Sequence, residues 1–312
     1  MLRKSAPMLV ALRGLASAFS PFRNLGGKPV PFAPMPGFPA SAVGVADVLA
    51  APKWPAEWPY SPRDFTRGDE SPDPYFYDQP RFCFHVDDAA VGALTEFYGT
   101  ALREWDKPAI LDICASHVSY CVDIKLIILR IIARDGINLH AVEQPRNLIA
   151  TQVSHFPADI ADFAGNRVAL GMNEEELKNN TQVDSYVVKD LNEDPTLPFE
   201  DNSFDVVTNV VSIDYLTKPL AICKEIRRVL KPGGQAVMAL SNRCFPSKAV
   251  DIWLRTNDLE HVFVVGSYFH YAGGFKAPSA VEVSPNQAQT PWAGGRSQNV
   301  AYLAVVRTEV NK

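Results

Sequence analysis

The sequence predicts an α/β fold in which a doubly wound, mostly parallel sheet of seven strands has an antiparallel edge strand. Three observations predict it. Short apolar runs alternate with helical patterns from residue 109 onward, as in parallel sheets covered by helices on both faces. One of these helices has a strong apolar stripe and stops at a Lys-Pro-Gly-Gly turn at 231–234. The last two apolar runs follow the alternation and can pair antiparallel at the edge.

The region before the alternating segment has a different composition. The first 46 residues contain no Asp or Glu but five Lys or Arg residues among Ala, Ser and Leu, which predicts a transit peptide for a plastid or mitochondrion. The alternative is a disordered basic tail on a cytoplasmic protein. Fourteen of the 25 prolines precede Phe82, so we expect a presequence and an extended linker over residues 1–74, without helices or central strands.

The folded domain is predicted to cover residues 75–312. Its ordered lead-in, residues 75–105, contains a helix whose N-cap is Asp87 or Asp88. The clearest later helix covers residues 220–230 and lies between the fourth and fifth strands. The predicted strands are residues 109–114, 167–172, 185–189, 204–211, 235–240, 261–269 and 301–307.

Composition and charge restrict the functional class. No apolar run is long enough to cross a bilayer. The five cysteines form no CxxC pair, which argues against a disulfide scaffold and against a metal site. Without the basic N-terminal stretch the net charge changes from −5 to −10. An acidic folded domain suits a small-molecule or protein substrate better than nucleic acid. The sequence does not indicate the oligomeric state.

The densest group of motifs lies at residues 184–246. The motifs are Asp190 after the third strand, Leu197-Pro-Phe, Asp201, Ser203-Phe-Asp and the Lys231-Pro-Gly-Gly turn. Their spacing resembles class I, S-adenosylmethionine-dependent methyltransferases of the type 11-like group, which modify small molecules and lipids. The resemblance spans about 110–306. It implies a Rossmann-like sheet, S-adenosyl-L-methionine as cofactor, and methyl transfer to a small-molecule, lipid or protein acceptor.

The resemblance also implies roles for residues at the strand ends, where open parallel sheets bind ligands. Asp190 would accept a hydrogen bond from the adenine amino group and the Leu191 amide would reach the ring, although Asp190 can equally cap a turn. Asn209, with the residues up to Ser212, would line the methionine side. Asp112 occupies the position of the family's first acid.

The loop after Asp112 departs from the family. Where relatives have two or three glycines, this chain has Cys114, Ala115, Ser116 and His117, whose side chains would crowd the cofactor. The small Ala115 and Ser116 leave some room, and His117 can supply a hydrogen bond. The alternative to an active enzyme is therefore a non-catalytic methyltransferase-like scaffold or regulatory protein with a decayed cofactor site.

The acid that should hold the ribose has two candidate positions. One is Glu143, at the end of a strand-like segment, and the other is Asn173, aided by Glu174, after residues 167–172. Residues 118–152 are flanked by near-identical sequences, and their removal shortens the separation of Asp112 and Asn173 from 61 to 26, close to the expected spacing of about 20. We hypothesise that they are a retained intron; a genuine insertion is the alternative.

No catalytic residue is assigned from the sequence. Methyl transfer by in-line displacement depends mainly on positioning and desolvation, and a general base is not required. Asp214, Tyr215 and His117 are the titratable groups nearest the expected mouth. In the lead-in, Tyr75, Tyr77, Arg81 and His85 are predicted to close over the cofactor.

Overall fold

The computed structural model describes residues 35–81, 85–116, 156–284 and 302–311. Its centre is a seven-stranded sheet in the order β3-β2-β1-β4-β5-β7-β6. β1 to β5 are parallel, whereas β7 pairs antiparallel with β5 and with β6. The predicted fold class is confirmed. The strands are β1 Ile110–Ile113, β2 Arg167–Gly171, β3 Ser185–Val188, β4 Phe204–Val210, β5 Leu230–Ser241, β6 Ser279–Glu282 and β7 Leu303–Glu309.

Helices cover both faces of the sheet, and short 3-10 turns lie at Pro62–Phe65, Leu102–Glu104 and Ile213–Tyr215. The Asp87 carboxylate accepts a hydrogen bond from Ala90 N and caps the lead-in helix, as predicted. The helix predicted at 220–230 is also present, one residue earlier. The helices are α1 Val45–Ala50, α2 Asp73–Tyr77, α3 Asp88–Ala101, α4 Ile160–Phe163, α5 Glu174–Lys178, α6 Pro219–Val229, α7 Asp251–Leu254 and α8 Asp258–Ala272.

Alternate residues of the central strands face two separate apolar cores. Leu111 and Val207 pack in a core that includes α1, α6 and α8. Ile110 and Val206 face the opposite side and pack with α3. This alternation follows from the two-residue period of a strand. The helices cover the two faces of the sheet, and the strand ends are left to form a site.

One predicted strand is wrong, because residues 261–269 lie within α8. Asn257 caps this helix by accepting from Leu259 N and Glu260 N, while Glu260 accepts from Asn257 N. The helix is buried along most of its length, and a continuous apolar run does not distinguish a buried helix from a buried strand. The edge strand is instead β6, which is mostly exposed.

The expectation of an extended linker up to residue 74 is also wrong. Val45, Val48 and Leu49 of α1 are buried in the main core. The Trp54 ring lies 4.5 Å from that of Phe263, centroid to centroid. The prolines interrupt helices here without preventing them; Pro62, for example, opens a 3-10 turn, where its missing N–H is not needed. The predicted transit peptide falls mainly in residues 1–34, outside the described residues.

A turn at residues 180–182 holds both chain ends that flank the segment 117–155. Asn180 Nδ2 donates to Ser116 O at 3.4 Å, and Gln182 Nε2 donates to Pro157 O at 3.2 Å. The hypothetical intron, residues 118–152, and Glu143 lie outside the described residues, so the intron remains a prediction. Of the two candidate second strands, residues 167–171 pair with β1.

Candidate functional site

A cavity of about 510 Å³ opens at the carboxyl ends of β1 to β5. Parallel sheets bind ligands at this edge, and the volume is in the range of small-molecule sites. The lead-in segment closes one side of it. From the strand ends and the lead-in the lining includes Asp112, Cys114, Ala115, Ser116, Met172, Asn173, Asp190, Leu191, Asn192, Val210, Val211, Ser212, Tyr215, Asn242, Arg243, Cys244, Phe245, Asp73, Tyr77, Arg81 and His85.

The cavity gathers most of the residues predicted for the cofactor site, including Asp112, Cys114, Ala115, Ser116, Asn173, Asp190 and Leu191. Asn209 does not line it. Its side chain is fully buried, and its Nδ2 donates to Ile113 O at 3.1 Å, a bond that ties β4 to β1. His117 lies outside the described residues. Tyr77, Arg81 and His85 line the cavity, whereas Tyr75 is 76% exposed.

Asp112 is a buried carboxyl group on β1, facing the cavity. It accepts a hydrogen bond from Thr208 Oγ1 at 2.7 Å. Burial raises the pKa of Asp112 from 3.8 to about 7, and the bond from Thr208 offsets part of that rise. A cation placed beside Asp112 would lower this pKa and favour the ionised carboxylate at neutral pH.

Asp112 should make folding stability depend on pH. Because its pKa is higher in the folded than in the unfolded chain, its contribution is fully present below about pH 4 and is lost as the pH rises to about 7. We expect the Asp112→Asn variant to lack this loss, which is on the order of a few kcal/mol. Urea denaturation of both proteins between pH 4 and 8 measures the difference. If the free energy of unfolding of the two proteins changed with pH in parallel, the raised pKa of Asp112 would be contradicted.

In the loop after β1, Cys114 has a backbone conformation that is usual for glycine. Cys114 has φ of +56°, in the left-handed region that costs a non-glycine residue about 1–2 kcal/mol. Burial raises the pKa of its thiol to about 12, so the thiol is neutral and not a nucleophile. Cys114, at a position where the resemblance implies glycine, thus has the left-handed backbone conformation that glycine adopts readily.

A glycine on the neighbouring strand makes room for this loop. Ala115 N donates to Leu170 O at 2.8 Å, and a Cβ at Gly171 would lie 2.0 Å from Ala115 O. The loop can cross the end of β2 only because Gly171 lacks a side chain. Close backbone approach is thus supplied by β2, although the loop itself lacks glycine.

Asn173 is at the predicted position after β2, but its amide is occupied. Its Oδ1 accepts from Glu176 N at 3.0 Å and caps α5. Its Nδ2 donates to Tyr77 O at 2.8 Å and to Asp78 O at 3.2 Å. Glu176 adds a second link by accepting from Arg81 N at 2.6 Å. These bonds fasten the lead-in segment over the cavity.

We expect Asn173→Asp to loosen the lead-in segment. The carboxylate cannot donate to the carbonyls of Tyr77 and Asp78 and would repel them, which costs about 1–3 kcal/mol. Peptides covering residues 73–81 should then exchange amide hydrogen at least about tenfold faster. Hydrogen exchange followed by mass spectrometry measures this.

The matched control is Asn179→Asp, because Asn179 Nδ2 makes a single exposed bond to Glu175 O. It should leave exchange at 73–81 unchanged. If Asn173 served a ribose instead, its replacement by the family's acid would leave exchange unchanged and tighten nucleoside binding. That result would refute the fastening role.

Asp190 both caps a turn and faces the cavity. Its Oδ1 accepts from Asn192 N at 2.8 Å and Glu193 N at 3.3 Å, so the turn-capping interpretation is correct. Within the described residues no hydrogen bond to Oδ2 is recorded, which leaves that oxygen for a ligand. Leu191 is 3% exposed and gives the cavity an apolar wall beside it.

A buried polar network behind Asp190 was not predicted from the sequence. Asn192 Nδ2 donates to Asp73 Oδ2 at 2.8 Å, and its Oδ1 accepts from Thr217 N. Arg67 Nη1 donates to both carboxylate oxygens of Asp73, at 2.7 and 2.8 Å. Lys248 Nζ lies 3.2 Å from Asp73 Oδ1. The network joins residues 67–73, just before the lead-in, to the loops after β3 and β5.

The three titratable residues predicted nearest the mouth of the site differ in where the structure places them. Tyr215 lines the cavity, and its hydroxyl accepts from Phe245 N at 2.9 Å. Asp214 is 3% exposed, and its Oδ2 has no partner in the described part of the chain. Burial raises the pKa of Asp214 well above its ordinary value. His117 is outside the described ranges, so no catalytic base is assigned.

The cavity lining matches what the resemblance implies for S-adenosylmethionine at three residues. Asp112 and Asp190 would offer carboxyl oxygens at two strand ends to the two amino groups of the cofactor, and Leu191 would offer an apolar surface for a ring. The position predicted to hold the ribose does not match, because the Nδ2 group of Asn173 already donates to two carbonyl oxygens of the lead-in. Among the described residues no cluster of three or more His, Cys, Asp or Glu could hold a metal ion. In those same ranges no helix could span a bilayer.

Comparison with known sequences finds a family that matches part of the chain. The methyltransferase-domain family matches residues 149–238, a range that begins after β1. The chain is 35% identical over 89 residues to sterol 4-C-methyltransferase strm-1 of Caenorhabditis elegans, 26% of each chain. It is 33% identical over 66 residues to malonyl-[acyl-carrier protein] O-methyltransferase of Marinomonas sp., 21% of this chain and 24% of that protein. The matched segments span less than half of these relatives.

Solved structures with similar outlines include an S-adenosylmethionine-dependent methyltransferase from Mesorhizobium loti. It has 14% identity and a TM-score of 0.41, covering 70% of this chain and 97% of that one. One from Aquifex aeolicus has 14% identity and a TM-score of 0.38, covering 72% and 94%. The family match and the motifs at 184–246 confirm the predicted resemblance and its cofactor, S-adenosylmethionine.

Proposed function

We propose that this class I, S-adenosylmethionine-dependent methyltransferase-like chain transfers a methyl group to a small-molecule, lipid or protein acceptor. The observation that carries the proposal is the cavity at the strand ends, with Asp112 and Asp190 among its lining residues. When bound there, S-adenosylmethionine supplies an activated methyl group on a sulfonium. The chain has to position the acceptor in line and keep water out.

The cavity walls supply those two requirements. Tyr77 and Arg81 of the lead-in and Phe245 after β5 form one wall of the cavity, with the Arg81 guanidinium near both rings. The bonds of Asn173 and Glu176 hold the lead-in in that position. Aromatic rings in the cavity wall limit the space for water, and fewer waters strengthen electrostatic contacts inside.

Calorimetric titration with S-adenosylhomocysteine tests the proposal. We expect binding to the full chain and to a variant lacking residues 118–152, because the turn at 180–182 holds both flanks of that segment. Asp190→Ala should weaken binding in both proteins, whereas Asp201→Ala, on the surface turn before β4, should not. Absence of binding to both proteins would contradict the enzyme proposal.

The second candidate is a methyltransferase-like scaffold or regulatory protein without catalysis. Two observations favour it: Cys114 has a side chain in the loop where the resemblance implies glycine, and the Asn173 amide donates to the lead-in. Such a protein would keep the sheet and its stability but show no binding of S-adenosylhomocysteine. The titration above therefore separates the two candidates.

The acceptor is proposed only as a class. The two relatives act, by their names, on a sterol and on a malonyl group carried by a protein, and a cavity of this size accommodates a small molecule or the end of a carried group. The acidic net charge disfavours nucleic acid. We further propose delivery to a plastid or mitochondrion through the basic N-terminal stretch; a fluorescent fusion of residues 1–74 that stays cytoplasmic would contradict this.

A further inference from the structure

The basic groups of the cavity are gathered on its lead-in and β5 side. Arg81, His85 and Arg243 line this side, while Asp112 and Asp190 lie at the ends of β1 and β3. Arg243 has Asp87 as a neighbour, with Nη2 3.8 Å from Oδ2. Arg81 is different, since its surroundings are aromatic.

Arg81 is held between rings. Its guanidinium carbon lies 4.4 Å from the ring centroid of Phe76, 5.4 Å from that of Phe245 and 5.8 Å from that of Tyr77. Ring faces attract a cation but cannot accept the five N–H bonds of a guanidinium in the way that oxygens do. The one side-chain hydrogen bond recorded for Arg81 in the described residues runs from Nη2 to Phe76 O, at 2.8 Å.

Nearby buried cations are neutralised by acids. Arg67 pairs with Asp73 at 2.7 Å, and Lys248 lies 3.2 Å from Asp73 and 3.3 Å from Asp69. For Arg81, none of the ion pairs within the described ranges involves its guanidinium. A half-buried cation in an aromatic wall without a counter-charge is costly unless a ligand supplies one.

We propose that Arg81 is the carboxylate-binding residue of this cavity, with its guanidinium presented to the ligand by the Phe76 and Phe245 rings. The planar fork of an arginine suits a carboxylate, which it can bind through two parallel N–H bonds. This inference rests on the proposed function, because the carboxylate belongs either to the methionine part of the cofactor or to the acceptor. His85 is 5.7 Å from Phe245, ring to ring, and offers a second polar group on the same side.

Arg81→Met tests the proposal, since it keeps the apolar stem and removes the fork. Its binding of S-adenosylhomocysteine, which has the carboxylate, is compared with its binding of 5′-methylthioadenosine, which lacks it. A third titration uses benzoate on the protein saturated with S-adenosylhomocysteine, with benzamide as the neutral analogue. Arg63→Met, at an exposed position outside the cavity, is the matched control, and equal melting temperatures exclude misfolding.

Two results would support the proposal and identify the source of the carboxylate. A loss of about tenfold or more for S-adenosylhomocysteine, with methylthioadenosine unchanged, assigns Arg81 to the cofactor. Unchanged S-adenosylhomocysteine binding, with benzoate bound by wild type and lost in Arg81→Met, assigns it to the acceptor. The proposal is overturned if both nucleosides weaken equally, or if neither nucleoside binding nor benzoate binding changes.

Failure of the proposed function would look different. In that case wild type binds neither nucleoside, and the benzoate titration on the protein alone then decides the role of Arg81. Benzoate binding that is lost in Arg81→Met and retained in Arg63→Met supports the carboxylate site. Equal benzoate affinity in the three proteins, or no benzoate binding to wild type, rejects it.

Discussion

Replacement of Lys248 by methionine is expected to lower the free energy of unfolding by about 3–5 kcal/mol, the usual cost of removing one partner of a buried ion pair. The Lys248 side chain is 0% exposed. Its Nζ donates to Ser71 O at 2.7 Å and lies 3.2 Å from Asp73 Oδ1. Methionine keeps most of the volume but removes the donor to Ser71 O, and it leaves Asp73 with Arg67 as its remaining cationic partner. Urea denaturation at neutral pH measures the change.

Lys276→Met is the matched control for this prediction. Lys276 pairs with Glu309 at 2.6 Å, but its side chain is 50% exposed, and exposed pairs contribute about 0–1 kcal/mol. A loss of stability in Lys248→Met no larger than that in Lys276→Met would show that the buried network is not a major source of stability.

Gly171→Ala is expected to destabilise the protein by about 1–3 kcal/mol and to weaken binding of S-adenosylhomocysteine. The new Cβ would lie 2.0 Å from Ala115 O and 3.2 Å from Leu177 Cδ2. The first neighbour is backbone, so the loop at 114–116 has to move away from β2 and deform the cavity. Urea denaturation and calorimetric titration measure the two effects.

Gly92→Ala provides the control with the same chemical change. Gly92 lies in α3, and nothing lies within 4 Å of a Cβ at that position. Alanine there should stabilise the helix by up to about 1 kcal/mol without changing nucleoside binding. If Gly171→Ala behaved like Gly92→Ala, the close approach of the loop to β2 would be refuted.

Much of the fold could be predicted because its signals are local. The cap at Asp87, the apolar face of α6 and the strand ending near Asp112 are each encoded within a few residues. Prediction from local patterns failed at α8, because this helix is buried on nearly all sides and its sequence shows no helical alternation of apolar and polar residues. It also failed at α1, where a short helix is stabilised by packing rather than by its own propensity.

The contacts that shape the site could not be predicted in this way. Asn173 and Tyr77 are separated by 96 residues, Asn192 and Asp73 by 119, and Lys248 and Ser71 by 177. No local pattern shows that an amide or an ammonium will meet these partners. The motifs located the strand ends correctly, but the lead-in changes what Asn173 does there.

The turn at residues 180–182 has a consequence for protein engineering. Its two side chains hold Ser116 and Pro157, the described residues on either side of the segment 117–155. We therefore expect an inserted domain between them to be accepted at small cost in loop-closure entropy. A circularly permuted fluorescent protein could be placed between residues 117 and 155. It would then begin one residue from Ser116, which lines the cavity, and its brightness could report occupancy of the cavity by a ligand in living cells.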